Sequence, residues 1–499
     1  MRVDIDESGR EHQPLAIDHL TGIAIQVCPN RDNPIDGYRD VANEGLDAAT
    51  IDNRSSANQK IALRHTETKI YGFPPGDILG AAMTEQKISP LEKGLGPLDQ
   101  PATPQEIAAL NWNLLREDLS LPVAVLYQDK LDHNLRWMRQ FIDAYGMKLA
   151  PHGKTTMAPR LFEMQLDAGA WGITLATAHQ ARIAYRHGVR RVLMANQLVG
   201  KQNIAIIAGL IDDPAFDFYC LIDSAEQIDQ LASYFRTAGK RLQVLLELGP
   251  DGGRTGVRNT AQLDAVLAAL DRPRDTLSLA GVEVFEGVLE DEVQIRNLLG
   301  RAVSLTRDLL DQHRFDRHPA ILTGAGSAWY DVVAEVFSAA QLGDNIEIIL
   351  RPGCYLTHDA GSYRRAQERI LAHNPIAQRM HSGLIPALQV WAYVQSIPEK
   401  ETAIVTLGKR DAAFDSGLPM PSLHYRPGDA LPNSAAPHWT LTRMMDQHAF
   451  LQISPGDNIR IGDMIGFDIS HPCLTFDNWR AIPILDASYR VIEIVQTYF

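Results

Sequence analysis

The sequence predicts an α/β chain, a (β/α)8 TIM-like barrel followed by a mainly antiparallel β domain, and two observations predict it. From Leu121 onward, short apolar runs rich in Val, Ile and Leu alternate with amphipathic stretches of helical length, the mark of repeated βα units. Beyond about Leu384 the texture changes to alternating runs, ALQVWAYVQSI, TAIVTLG, DNIRIGDMIGF and YRVIEIVQTYF, which read as a separate β domain.

Residues 1–115 are broken by YGFPPGDILG at 71–80 and PLEKGLGPLDQPATPQ at 90–105 and hold no sustained period, so they read as an N-terminal extension without an assigned role. The strands expected next are Val123–Tyr127, Lys148–Pro151, Gly172–Leu175, Val192–Ala195, Phe216–Ile222, Leu242–Leu248, Leu279–Phe285 and Ala320–Thr323. These eight suffice for a barrel over residues 116–383, with a doubly wound open sheet as the competing arrangement. A ninth run, Ile346–Leu350, ends in RPGCY, and residues 384–499 form the β domain.

Composition narrows the function classes. A chain of 499 residues that is 45% hydrophobic is long enough for several domains and a large buried site. A net charge of −14 argues against a nucleic-acid partner, which would need clustered Lys and Arg to displace counterions. Cys28, Cys220, Cys354 and Cys473 are scattered without a CxxC, which fits a reducing compartment better than a disulfide framework. No apolar stretch reaches the roughly 20 residues that span a bilayer, so a cytoplasmic protein without a membrane partner is expected.

Three local patterns can carry chemistry. Lys154, in KLAPHGKTTMAP, sits just past an expected strand, at the barrel end where catalytic groups gather, although an isolated lysine is more often simply solvated. TGAGS, Thr323 to Ser327, follows the eighth expected strand; its small residues, Gly324, Gly326 and Ser327 above all, let backbone N–H groups approach a phosphate. In DISHPCLTFDNW, His471 and Cys473 lie two residues apart, and on an extended strand they would face the same way as a pair of zinc ligands. A buried cysteine beside a hydrogen-bonded histidine is the commoner outcome of that spacing.

PHGKTTMAP, followed by LDAGAWGITLATAHQA, resembles the fold-type III pyridoxal phosphate family of D-serine dehydratases and D-threonine aldolases, whose barrel is related to that of alanine racemase. The resemblance runs from about Leu121 to the C-terminus. It implies pyridoxal 5'-phosphate as cofactor, Lys154 as the Schiff-base lysine, and His152 and Thr155 beside it. Arg254, in LELGPDGGRTGVR, is implied to face the pyridine nitrogen, although Gly249 and Asp251 depart from the family pattern. Tyr355 of RPGCY resembles a further cofactor-proximal position, and Thr323 joins the phosphate turn.

Relatives carry a His-x-Cys or His-x-Asp pair that binds a divalent metal near the substrate's β-hydroxyl. The resemblance therefore implies that His471 and Cys473 hold a metal, zinc being favoured by the thiolate, with His448 lining the same site. GVEVFEG departs from the family's tyrosine and histidine, so Glu286 either replaces the histidine or packs. Lys409 reads as solvated, on a loop whose expected neighbour is the barrel mouth of a partner subunit.

The implied activity is a lyase on small β-hydroxy D-amino acids, of the D-serine dehydratase type, giving an oxo acid and ammonia. A D-threonine aldolase is the alternative, and a non-catalytic pyridoxal phosphate-binding protein is the alternative of another class. Racemisation ranks lower, because it needs no metal. A homodimer is the family's expected assembly.

Overall fold

Eight parallel strands close into a barrel, but they are not the eight that the sequence picks out. The computed structural model describes residues 87–499, all within one unit that runs Ile70–Phe499. The YGFPPGDILG segment and Cys28 lie outside the described residues.

The barrel strands are β2 (Lys148–Leu149), β3 (Ile173–Leu175), β4 (Arg191–Gln197), β5 (Asp217–Ile222), β6 (Leu242–Leu248), β7 (Leu277–Val284), β8 (Ala320–Gly324) and β9 (Ile346–Leu350). They pair in the order β2-β9-β8-β7-β6-β5-β4-β3. A parallel bridge between His152 and Thr174 joins the chain after β2 to β3 and shuts the ring. Inside it, Leu193, Tyr219, Leu221, Leu245, Ile321 and Ile349 fill the lumen, so the barrel is a packed core and not a pore.

The run Val123–Tyr127 (β1) belongs to the other sheet: it pairs antiparallel with β10 (Leu388–Glu399) and parallel with β17 (Ala481–Leu485). The ninth run, β9, takes the vacated place in the barrel between β2 and β8. Periodicity could not separate the two, because all five residues of VAVLY are buried and show no alternation.

The intervening helices start where the sequence offers caps. In α6 (Ala225–Thr237) the Ser224 hydroxyl accepts from Gln227 N–H, and in α8 (Glu292–Asp311) Asp291 accepts from Gln294 N–H. The other helices are α1 (Pro104–Ala108), α2 (Gln128–Tyr145), α3 (Pro159–Asp167), α4 (Ala178–Arg186), α5 (Lys201–Leu210), α7 (Thr260–Leu270), α9 (Tyr330–Ala339), α10 (Ser362–His373), α11 (Pro375–Arg379) and α12 (Pro472–Asp477). Among the described residues no helix is long and apolar enough to cross a membrane.

The β domain's main sheet runs β13-β12-β16-β10-β1-β17-β18, from β12 (Met420–Tyr425), β13 (Asn433–Ser434), β16 (Met464–Asp468) and β18 (Val491–Gln496); β11 (Thr402–Val405), β14 (Thr440–Met444) and β15 (Ala449–Gln452) branch from β10. Its core also takes in Ile88, Leu95, Ile107, Trp112 and Leu114, packed with Val123, Val125 and Trp391. The described part of the expected N-terminal extension is thus a structural piece of this domain. Its α1 opens with a capping box in which Thr103 and Glu106 each bond the other's backbone N–H.

Candidate active site

Lys154 stands in the turn Gly153–Thr155 that follows β2, where the chain leaves the barrel wall. Gly353 lets the RPGCY loop press against this turn: a Cβ there would lie 2.5 Å from His152 Cβ. Lys154 makes no hydrogen bond or ion pair among the described residues, so its amine is uncommitted. It lines a cavity of about 340 Å³ between the C-terminal ends of the barrel strands and α12, together with His152, Thr155, Arg254, Gly326, Ser327, His471 and Cys473. Residues drawn from four separate stretches of sequence therefore meet in one place.

His152 is held neutral. Burial pushes its pKa well down, and the neighbouring charges of Arg351, Lys154 and Arg254 push the same way. Its Nδ1 is buried without a partner, as are Nε and Nη1 of Arg351. Arg254 lies over the Phe285 ring at 4.8 Å. Its loop packs tightly at Gly249, where a Cβ would lie 2.0 Å from Thr255 O. Next to Arg254, the Thr255 hydroxyl donates to Glu247 Oε1 at 2.7 Å, and Gln197 donates to the other oxygen. Burial, then the charge of Glu283, raises the Glu247 carboxyl to about 7.

The fold gives five expected positions other surroundings than the sequence suggests. Thr323 is buried in the barrel wall and donates to Ile349 O at 2.8 Å, and Gly324 accepts there from Arg351 N–H. The Gly326 N–H, expected to face a phosphate, donates instead to Glu286 Oε1 at 2.6 Å, while Ala325 N–H donates to Oε2 at 3.1 Å. Of the two alternatives for Glu286, the structure has the packing one: fully buried and outside the cavity lining, it anchors the TGAGS turn. Tyr355 is turned away from the site toward α2 and α3, where Gln165 is its hydrogen-bond partner. His448 is exposed in the turn between β14 and β15, its carbonyl accepting from Met445 N–H, and does not line the cavity.

Ser327 keeps a place in the site. Its hydroxyl oxygen accepts from the N–H groups of Gly353 and Cys354 at 3.1 and 3.0 Å, which leaves its own proton free to be donated. The cavity also contains Asn196, Glu283, Arg351, Cys354 and Tyr363, which sequence reasoning did not single out. Arg351 is fully buried and forms an ion pair with Glu283 beneath the cavity. The charged end of the RPG motif was the one available signal for it.

His471 and Cys473 do not lie on a strand. His471 caps α12, with Pro472 at its first position and Cys473 in its first turn. The two side chains still meet. Hydrogen bonding from Cys354, then from His471 and Thr155, holds the Cys473 thiol down to about 4 against the cost of burial. Its sulfur lies 3.5 Å from Thr155 Oγ1. Cys354 keeps its proton, its pKa driven up by the same contact and by burial. His471 is raised to about 9, chiefly by Cys473 and further by Asp415. Cys220, Cys354 and Cys473 are all free thiols.

A phosphorylated aldehyde cofactor fits these residues. An uncommitted lysine, a free hydroxyl donor at Ser327 and unpartnered nitrogens on Arg351 and His152 face or floor one cavity. The donor set also fits a metal with two protein ligands, an imidazole and a thiolate, completed by water or substrate. Among the described residues no cluster of three or more His, Cys, Asp or Glu side chains is placed to hold an ion.

Comparison with known proteins agrees with this architecture. Residues 126–343 match the family described as alanine racemase, N-terminal domain, and residues 387–485 match the putative serine dehydratase domain. The chain is 24% identical to the D-threonine aldolase of Arthrobacter sp. over 343 residues, 67% of this chain and 80% of that one. It is 30% identical to the D-threo-3-hydroxyaspartate dehydratase of Delftia sp. (strain HT23) over 139 residues, 28% of this chain and 36% of the relative. The solved D-threonine aldolase of Filomicrobium marinum superposes with a TM-score of 0.64 at 23% identity, covering 78% of this chain and 97% of that one. A solved cysteine-to-alanine variant of D-threo-3-hydroxyaspartate dehydratase, in the metal-free form, gives 0.61 at 21% identity over 78% and 99%.

An alanine racemase-type barrel joined to a serine dehydratase-type β domain, with a lysine at the barrel mouth, defines the class: the chain belongs to the fold-type III pyridoxal phosphate family. Within that family it stands with the D-serine dehydratase and D-threonine aldolase group, and it is a pyridoxal phosphate-dependent lyase.

Proposed function

We propose that this lyase acts on small β-hydroxy D-amino acids, removing the β-hydroxyl to leave an oxo acid and ammonia. The observation that carries the reading is the meeting of His471 and Cys473 with Lys154 in one cavity. Pyridoxal phosphate, bound through Lys154, supplies a sink for the electron pair released at Cα, and zinc held by His471 and Cys473 supplies a Lewis acid at the β-oxygen. The named relatives act on D-threonine and on D-threo-3-hydroxyaspartate, both β-hydroxy amino acids.

The chain's own residues divide the work. Lys154, the uncommitted amine, takes the proton from Cα. Arg254, a cation at the cavity wall, would face the ring nitrogen of a bound cofactor and keep it unprotonated. The Ser327 hydroxyl would donate its free proton to the cofactor's phosphate. Neutral His152 and the Arg351–Glu283 pair form the floor and exclude water. His471 and Cys473 would hold the metal that polarises the β-hydroxyl, in the same cavity as Lys154.

The thiolate favours elimination in this reading, since it suits zinc better than the harder ions. The aldolase reading draws on the long alignment with the Arthrobacter enzyme. Incubation with D-serine, D-threonine and D-threo-3-hydroxyaspartate separates them. Ammonia and an oxo acid are expected in equal amounts; glycine as the sole amino product would replace the dehydratase by the aldolase.

A further inference from the structure

We infer that Asp415 is a positioning residue for the metal: its carboxylate fixes the proton of His471 on Nδ1 and so presents Nε2 as the ligand atom. The inference rests on the reading of His471 and Cys473 as a metal pair. It assigns a task to the loop GKRDAAFDSG, which sequence reasoning associated only with a solvated lysine and a partner subunit.

The geometry is direct. His471 Nδ1 lies 2.7 Å from Asp415 Oδ2, and the ring's other polar neighbour is Cys473. An imidazole that donates one N–H to a carboxylate has its tautomer and ring orientation set, and its second nitrogen becomes a better donor to a metal. Asp359 also faces His471, its Oδ1 accepting from the N–H groups of Gly361, Tyr363 and Arg364 and its Oδ2 buried without a partner, but no hydrogen bond joins it to the ring. Asp415 is the carboxylate bonded to the ring.

The loop is stapled in place, which an incidental surface contact would not need. Trp479 Nε1 donates to Asp411 O at 2.8 Å, Ala413 N–H donates to Thr475 Oγ1 at 3.1 Å, and the Ser470 hydroxyl donates to Gly417 O. Lys93 pairs with Asp411 at 3.1 Å and lies over the Trp479 ring at 3.9 Å. Thr475 belongs to α12, the helix that carries Cys473, and Ser470 directly precedes His471. One rigid assembly therefore holds both ligand side chains and the carboxylate behind one of them. The Asp415 and His471 side chains are 39% and 24% exposed, and a pair so open to water adds little to folding stability by itself.

The test is zinc affinity of the holoenzyme, measured by competition with a chromophoric chelator, together with the visible spectrum of the Co2+-substituted protein. Asp415→Ala is expected to weaken zinc binding about 10- to 100-fold and shift the Co2+ ligand-field bands, with the cofactor's visible band unchanged. Asp415→Glu is expected to recover most of the affinity. Should the alanine variant fail to fold, Asp415→Asn, equal in shape but uncharged, reads the same loss at smaller size. A variant that binds zinc as tightly as the wild type overturns the role of Asp415 alone. A wild type that binds zinc no better than His471→Ala does overturns the metal reading and this inference together.

Discussion

At the scale of residues, the site is a set of side chains whose charge states are fixed by their neighbours. The cavity sets a lysine without any partner beside a histidine that burial and three cations keep neutral. That contrast makes Lys154 the residue on which the cofactor depends. Lys154→Ala is expected to lose the visible absorbance of lysine-bound cofactor and to cut turnover by on the order of a thousandfold or more. A purified variant that keeps the band would remove Lys154 from its role. Lys154, Arg254, Ser327, His471 and Cys473 were legible because each sits in a short motif whose neighbours also matter. Tyr363, Asn196 and Asp415 were not, since each is a single residue brought in by an element far away in sequence. Tyr355 failed for the opposite reason: adjacent to Cys354, which does reach the site, it points to the other side of the loop.

At the scale of elements, strand ends decide chemistry and strand membership misleads. The end of β6 delivers Glu247 under the Arg254 loop, and the end of β7 delivers Glu283 under Arg351. Two buried carboxylates so close give stability a pH dependence. The Glu247 pKa is raised from 4.5 to about 7 in the folded state, so folding retains a proton that the unfolded chain releases. Its stabilising contribution is full below pH 4.5 and is lost as the pH rises toward 7, roughly 3 kcal/mol in all. Glu247→Gln is expected to remove that part of the slope, read as urea midpoints converging less between pH 4.5 and 7.5 than those of the wild type; an unchanged slope would refute it. The two elements that sequence reasoning misplaced share a cause. VAVLY at β1 is buried on both faces like a barrel strand, and SHPC was read as a strand although Pro472 marks a helix's first turn.

At the scale of the molecule, the barrel was legible from its repeating βα texture, and the composite nature of the β domain was not. That domain takes one strand and an apolar segment from before the barrel and the rest from after it. Nothing local in residues 88–119 announces this, because their partners Trp391 and Val491 lie hundreds of residues on. Trp112, 7% exposed, is the anchor of that segment, and its carbonyl accepts from Val491 N–H. Trp112→Ala is expected to cost about 3–5 kcal/mol of stability, measured by denaturant unfolding, and a loss under 1 kcal/mol would show the segment to be peripheral.

The position of β1 between β10 and β17 also bears on how the chain is made. Tyr127 hydrogen-bonds Gln389, its partner across 262 residues. At translation speeds of about 5–20 residues per second, β1 leaves the ribosome roughly 10–50 s before the strand it must pair with exists. During that interval β1, all five of whose residues are buried in the finished fold, stays unpaired and exposed to pairing with other nascent chains.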